Sequence, residues 1–431
     1  MRKPKPGVLL ARHGDGGNGV AAAAFPGVGP VLADVLAQAQ LTEPAAVGDV
    51  LSAAARPLGI GAVRIYLADI QQRHLYLLTR AAARPPEGLA VGVTLAGRAF
   101  QTSTIQRAST GAGGPGQLWV PLMNGAERLG VLECTVTDMG EATLGQCQAL
   151  ASLAGLIIAA RGPCSDACAR SQRSQPVALQ AELVHALTVP ATFATEKVSV
   201  AAVLEPAYEV GGDAFDYSLA GDRLHVAVFD AAGHDLAAGL VASVALAACR
   251  STRRAGGSLA DMAGHADRVI ASQFAANRFA TAVLCALDTA TGEFTWIPCG
   301  HPPPLLLRGS NPATELGREP RLPLGIAGRT KAAPGAGHSG EPAGPYSEQL
   351  AAGDRILLYT DGMTDGREAG GVPFGVIRLA GFVTRCTAAG LPAAETLRRL
   401  ARVISGYQGD RLSDDATAVL LEWQPRTQPA P

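Results

Sequence analysis

The sequence predicts an α+β protein of two unlike units, on three observations. The chain has 431 residues, too many for one ordinary core and enough for about two or three. Its first third mixes helical and strand periods around two strands, residues 117–122 and 128–133, joined at an Asn124-Gly125 turn. Its second half sets apolar strand runs around paired helices, the pattern of a layered sandwich of sheets with helices outside.

In chain order, residues 1–30 are Gly- and Ala-rich and are expected to be disordered. Helical spacing then runs through 31–40 and 47–58, strand patterns cover 63–67 and 75–79, and a short helix starts in 93–100. After the hairpin, a helix over 144–160 closes a sensor-sized α+β domain, residues 31–162. The polar stretch 161–178, with Pro163 and Pro176, reads as a linker. Residues 179–187 form an amphipathic helix that stops before Pro190, so that 163–195 connects the two domains. Two roles stand open for that helix: transmitting a signal, or simply packing on the next domain.

The second domain, 196–423, has strand patterns at 198–204, 213–219, 223–229, 279–287, 293–298, 304–307, 355–359 and 416–422. Helices fall in 236–254 and 258–275, with two more in 373–405. Residues 327–347, rich in Gly, Pro and Ala, have no period and are expected to be a mobile surface insertion; the tail 424–431 is expected to be disordered.

Composition narrows the function classes. A formal charge of −1 offers no electrostatic footprint for nucleic acid or an acidic membrane, so neither is expected as a partner. Eight cysteines lack paired CxxC spacing, and Cys249, Cys285 and Cys299 lie in apolar runs as small hydrophobes, which fits a reducing compartment. Cys164 and Cys168 allow a thiol pair or half a metal site, against the plainer reading as ordinary linker residues. The apolar run at 8–11 is less than half the roughly 7–15 residues of a signal-peptide core, and no uninterrupted apolar stretch approaches the roughly 20 that span a bilayer. A cytoplasmic protein is expected.

Five short segments, four of them acidic, carry the chemistry: Glu209-Val210-Gly211-Gly212-Asp213, Asp230-Ala231-Ala232-Gly233-His234, Gly300-His301-Pro302-Pro303, Tyr359-Thr360-Asp361-Gly362 and Asp414-Asp415-Ala416-Thr417. Hard cations such as Mg²⁺ and Mn²⁺ want oxygen ligands, and carboxylates at the ends of different strands beside glycine-relaxed turns are how a chain gathers them. Any one of these aspartates alone reads equally as a cap or turn residue. Together they point to a metal-dependent hydrolase.

Two resemblances follow. Residues 31–160, through "VTLAGRAFQT" and "LWVPLMNGAERLGVLEC", resemble a GAF domain. That family binds small ligands, chromophores or nothing, and pairs through its terminal helices, which implies a homodimer and an unidentified small ligand. Tyr66, Tyr76 and Trp119 are candidates to line its pocket, with plain core as the alternative. Over residues 196–423 the ordered set "PAYEVGGDAFDY", "VAVFDAAGHDLAAGLVA", "NRFATAVLCALD", "CGHPPPLLLR", "GDRILLYTDGMTDGRE" and "SDDATAVLL" resembles the SpoIIE-like branch of the metal-dependent protein phosphatases, the PPM class. The resemblance implies an α/β/β/α sandwich and two Mn²⁺ or Mg²⁺ ions holding a water that attacks a phosphoserine or phosphothreonine.

Carried over by position, Asp213 and Asp230 match metal-binding acids, Asp230 as the bridging one, and the Ala231 carbonyl completes one shell. Asp361 and Asp414 match the acids of the other, with Asp415 as the alternative to Asp414. Asp216 and Asp365 are candidates for a third, weaker ion, or are solvated carboxylates. His234 is a candidate proton donor to the leaving oxygen, and His301 reads as a structural histidine bonded to backbone at a rigid turn. Asp235 stands where the family commonly has Gly and is expected to add negative charge near the metals; Ala214 replaces a common aromatic. The substrate class implied is a phosphorylated anti-sigma-factor antagonist of the STAS type. The rivals are a pseudophosphatase that only binds partners and a phosphatase of small metabolites.

Overall fold

The structure, a computed structural model, describes residues 27–80, 87–109, 115–327, 344–367, 371–409, 412 and 414–425. The chain divides into two compact units, Met1–Gln175 and Pro176–Pro431.

In the first unit, helices α1 (Val28–Ala39) and α2 (Val47–Ala55) precede strands β1 (Ile60–Ala68), β2 (His74–Leu77) and β3 (Leu89–Ala90). Helix α3 (Leu95–Thr102), strands β4 (Gln106–Ser109), β5 (Gly116–Asn124) and β6 (Glu127–Val136), and helices α4 (Glu141–Arg161) and α5 (Asp166–Gln172) follow. The strands form one antiparallel sheet in the order β3-β2-β1-β6-β5-β4. Alternation decides its faces. Ile65, Leu118 and Leu132 point into the core with Val35, Leu51 and Leu150 of the helices, while Val131 and Trp119 pack the other face under Ala99 and Phe100 of α3. Thr94 caps α3 by accepting the Gly97 N–H at 3.0 Å. The hairpin turns through Gly125 and Ala126, with Gly125 at φ 59°.

Two expectations change here, and the candidate pocket aromatics resolve to the core alternative. Helix α1 begins at Val28, inside the stretch expected to be disordered; residues 1–26 lie outside the described residues. The linker reading of 161–178 fails over its first half: Ala167, Cys168 and Ser171 of α5 are buried, and the Gln172 carbonyl accepts the Ile70 N–H at 2.9 Å. Two small residues at i and i+4 let this short polar helix lie close to its neighbours, a fit that composition does not reveal. The aromatics are core: Trp119 meets Tyr66 edge-on at 5.5 Å, and the Tyr66 hydroxyl donates to buried Glu133 at 3.0 Å. Glu141–Cys164 is long and apolar enough to cross a membrane by length and composition, and 56% of its most apolar window is buried inside the fold.

The second unit starts with α6 (Leu179–Leu187), β7 (Thr192–Ala194), β8 (Val198–Glu205), β9 (Asp213–Ala220) and β10 (Arg223–Ala231). Helices α7 (Leu236–Arg254) and α8 (Leu259–Gln273) lead to β11 (Ala280–Asp288), β12 (Glu293–Cys299), β13 (Leu305–Leu307), β14 (Thr314–Glu315), β15 (Tyr346–Gln349) and β16 (Arg355–Tyr359). The last elements are α9 (Gly362–Asp365), α10 (Val376–Ala388), α11 (Ala393–Tyr407) and β17 (Ala416–Trp423).

Two sheets result, β15-β12-β11-β10-β9 and β14-β13-β16-β17-β8-β7. Their facing sides share one core, in which Val228, Leu284 and Trp296 meet Val200, Ile356 and Val419. Helices α7 and α8 pack on the first sheet, and α10 and α11 cover the second through Leu379, Leu397 and Leu400. This is the layered α/β/β/α sandwich expected from the alternating runs. Helix α6 packs on α7, with the Tyr208 carbonyl accepting the Ala178 N–H at 2.8 Å. Of the expected insertion, 328–343 lies outside the described residues, and its end is ordered: Tyr346–Gln349 is an edge strand on β12. Residues 426–431 of the tail also lie outside the described residues.

Candidate metal centre

The β9–β10 pairing builds the first half of the site. Asp213, the first residue of β9, stands directly opposite Asp230 near the end of β10, and Asp230 stands opposite Thr281 on β11. Directly opposed residues share a face, so two carboxylates and a hydroxyl line one edge of the sheet. The Gly211-Gly212 turn makes this possible by close approach: a Cβ on Gly212 would sit 2.4 Å from the Ala231 carbonyl oxygen.

The second sheet supplies the rest. Strand β16 ends at Tyr359, and Thr360 donates its hydroxyl to Asp213 Oδ2 at 2.8 Å while accepting the Thr417 N–H at 2.9 Å. Asp361 follows, exposed at the start of α9. Gly362 lies so near the 414–417 segment that a Cβ there would overlap the Asp415 carbonyl oxygen.

The structure separates the adjacent pair that the sequence leaves open. Asp415 is buried, and its Oδ2 accepts three backbone N–H groups, from Gly212 at 2.6 Å, Gly211 at 2.8 Å and Asp213 at 3.4 Å. It ties the Gly-Gly-Asp turn to the second sheet. Asp414 is exposed, and its Oδ1 accepts the Asp415 N–H at 2.9 Å.

Electrostatics shows that these acids sense one another. Burial, then the charges of Asp230 and Asp415, push Asp213 well above the usual carboxylate range. Burial, then Asp361, Asp414 and Asp415, push Asp230 up to about 7. Asp361 is raised by burial, then by Asp414 and Asp365, and Asp415 is raised by burial against the pull of its three amides. The ion pairs of this region belong to Asp216 and Asp235; among the described residues none reaches the five acids. The carboxylates converge without closing, since no three Asp, Glu, His or Cys side chains among the described residues gather as tightly as an ion cage. All-oxygen donors, carboxylates that raise one another's proton affinity and no ion pair to them among the described residues form a set that fits hard divalent ions.

Other expected residues fare differently. Asp216 is not a candidate for a third ion: its carboxylate receives Arg250 at 2.7 Å and Arg253 at 2.7 Å and is buried. Three residues from Asp213 along a strand is an odd number of steps, which puts it on the opposite face, under α7. Asp365 is exposed, accepts the Thr364 hydroxyl at 3.1 Å and lies near enough to raise Asp361. Asp235 does not add free negative charge at the acids. It caps α7 by accepting the Ala238 N–H at 2.9 Å, and Arg278 neutralises it at 2.6 Å. His234 is exposed on the loop between β10 and α7. His301 is buried against the Tyr359 backbone, as expected of a structural histidine, and its Nδ1 also lies 2.7 Å from the Thr281 hydroxyl. Sequence reasoning missed Thr281 and Thr360. Thr360 stands inside the Tyr-Thr-Asp-Gly motif, whereas Thr281 becomes visible only through strand register.

Residues 220–424 match a family model described as Stage II sporulation protein E (SpoIIE). That segment, just under half of the chain, is similar to this family. The match contains Asp230, Asp361, Asp414 and Asp415, while Asp213 precedes it and joins through the β9–β10 register.

Among solved structures, the chain is similar to the RsbU and RsbW domains of Rv1364c from Mycobacterium tuberculosis, at 27% identity and TM-score 0.44, over 54% of this chain and 62% of that one. It is also similar to the SiaA-PP2C domain of Pseudomonas aeruginosa, at 23% and 0.44, over 52% and 86%. A third is the PP2C phosphatase domain with a regulatory fragment of SpoIIE from Bacillus subtilis, at 18% and 0.43, over 54% and 65%. The chain spans less than two thirds of the length of the first and third of these.

Proposed function

We propose that this chain is a metal-dependent phosphatase that removes phosphate from a phosphoserine or phosphothreonine of a regulatory protein, under the control of its N-terminal unit. One observation carries the reading: a cluster of aspartates from two facing sheets, each raising its neighbours' proton affinity, without a cationic side chain in reach among the described residues. Acids that crowd one another in this way are suited to hold cations.

Asp213, Asp230, Asp361 and Asp414 would hold two ions, Mn²⁺ or Mg²⁺, with the Ala231 carbonyl as a further donor. Bound divalent ions supply an activated water and positive charge for the phosphoryl oxygens. Thr360 orients Asp213, and Asp415 fixes the turn that carries Asp213. His234, exposed on the loop after β10, is the candidate to give a proton to the leaving oxygen. Asp361 and Asp414 are exposed, which favours a phosphorylated side chain on a protein over a metabolite, since small-molecule sites bury most of their ligand.

The partner reading, a phosphorylated anti-sigma-factor antagonist of the STAS type, is supported by the motif set that resembles the SpoIIE-like branch. The sensor reading, a GAF domain that dimerises and takes a small ligand, is supported by the six-stranded antiparallel sheet with helices on both faces. A cytoplasmic location accords with eight unpaired cysteines. The test is Mn²⁺-dependent phosphate release from a phosphorylated STAS protein, beside a panel of nucleotides, with Asp361→Asn as control. Equal release by both proteins refutes the metal assignment, and preference for nucleotides refutes the protein substrate.

A further inference from the structure

Gly300-His301-Pro302-Pro303 is the motif that the site leaves without a role. Gly300, at φ 69° and with no room for a Cβ against Pro323, turns the chain out of β12 and bridges to Ala282 of β11. The turn delivers the His301 ring into the interior, 5% exposed, with Nδ1 2.7 Å from Thr281 Oγ1. Thr281 is the cross-strand neighbour of Asp230, on the same face, and close enough to lower the proton affinity of its carboxylate. On its far side the ring meets the backbone of Tyr359, the residue that leads into Thr360-Asp361, and Nε2 makes no hydrogen bond of normal geometry.

A threonine hydroxyl has one hydrogen and two lone pairs. When that hydrogen goes to Asp230, the oxygen must accept, and the imidazole has to present Nδ1–H. Burial keeps the ring neutral by lowering its proton affinity to about 3, so a single hydrogen sits on the ring.

We propose that His301 is a positioning residue for Asp230: its Nδ1–H holds the Thr281 hydroxyl, and that hydroxyl holds the Asp230 carboxylate in the orientation that receives a cation. The inference rests on reading Asp230 as a metal ligand. A carboxylate opposed by four others swings away unless something fixes it, and outer hydrogen bonds of this kind set the affinity of the ligands they touch. The relay joins strands β10 and β11 to the turn after β12, so the bridging acid is aimed by groups far from it in sequence.

The test is Mn²⁺ binding to the full-length chain, by titration calorimetry and by the electron paramagnetic resonance of bound Mn²⁺, with unfolding in EDTA as the check on folding. Thr281→Val and His301→Leu are each expected to weaken Mn²⁺ binding about tenfold. Thr281→Ser, which restores the hydroxyl, is expected to stay within about threefold of the original, and His301→Asn, whose amide N–H stands near Nδ1, to recover part of the loss. The double variant Thr281→Val/His301→Leu is expected to bind no more weakly than Thr281→Val alone, because the two act in series. Unchanged affinity in the folded single variants, or losses that add in the double, overturns the relay while leaving the metal assignment intact. An original chain that binds no Mn²⁺ overturns both. Should the apolar variants fail to fold, Thr281→Ser against His301→Asn gives the same decision: wild-type affinity in the first with a loss in the second supports the relay, and loss in neither overturns it.

Discussion

Two aspartates three residues apart on β9 live in opposite electrostatic worlds. Asp213 and Asp216 are both almost wholly buried, at 1% and 2% exposure. Asp216 faces α7 and receives three hydrogen bonds from Arg250 and Arg253. Asp213 faces the other sheet, receives one threonine hydroxyl and is crowded by Asp230 and Asp415. Burial alone therefore does not mark a functional acid. What separates the two is compensation: one charge is answered by the fold, and the other is left for something the chain does not contain.

The largest expected effect tests the uncompensated side. Asp230→Asn should lower Mn²⁺-dependent phosphate release by about a thousandfold, on the order of 4 kcal/mol of transition-state stabilisation. The metal-free protein should fold at least as well as before, because a repelled charge has been removed. A phosphate-release assay and a denaturation curve on the same sample check both halves. Activity within tenfold of the original would break the comparison.

Asp216→Asn should do the reverse. Removing the carboxylate leaves two arginines, 17% and 12% exposed, without their anion, a change that costs about 3–5 kcal/mol in buried pairs. Denaturant unfolding in EDTA should show that loss, whereas Asp213→Asn under the same conditions should show none. Arg250 also donates to the Leu187 carbonyl at 2.7 Å, so the variant should loosen the end of α6 as well.

A pH series sharpens the contrast. Folded Asp230 keeps its proton up to about 7, while in the unfolded chain it lets go near the ordinary value of 3.8. Between those limits the folded state binds more protons, so the stability of the metal-free protein falls as pH rises. Each tenfold difference in proton affinity is worth about 1.4 kcal/mol. Asp213, Asp361 and Asp415 are raised in the same direction. Unfolding in EDTA should show greater stability at pH 5 than at pH 8, and Asp230→Asn should flatten the difference. A flat profile in the original protein would mean that the acids do not feel one another.

How much of this was legible beforehand follows the same division. Asp213, Asp230, Asp361 and Asp414 stand out because each lies at or next to the end of a strand pattern in a short motif, three of them with glycine within three residues, and local sequence carries that signal. Asp216 offered no such warning: its partners are 34 and 37 residues away, and an odd step along a strand had first to put it on the helix face. The choice between Asp414 and Asp415 depended on the Gly211 and Gly212 amides, more than 200 residues distant. Strand β15, Tyr-Ser-Glu-Gln, was missed because an edge strand needs little apolar pattern when a single neighbour holds it. Helix α5 was missed because small residues, which look polar or neutral in composition, are what close packing selects.

The smallest effect concerns Asp235, where the charge lies next to the site in sequence and is expected to be silent there. Its carboxylate caps α7 and is held by Arg278 through both oxygens, at 2.9 and 2.6 Å. A charge already paired adds little to the field at Asp230 a few residues away, and solvent screens what remains because Asp235 is exposed. Asp235→Ala should therefore lower stability slightly through the lost cap, and Asp235→Ser, which can still cap, should recover most of it. Mn²⁺ affinity should change less than threefold in either. A tenfold change in that affinity would show that paired charge still reaches the acids, and the division between answered and unanswered carboxylates would no longer account for the site.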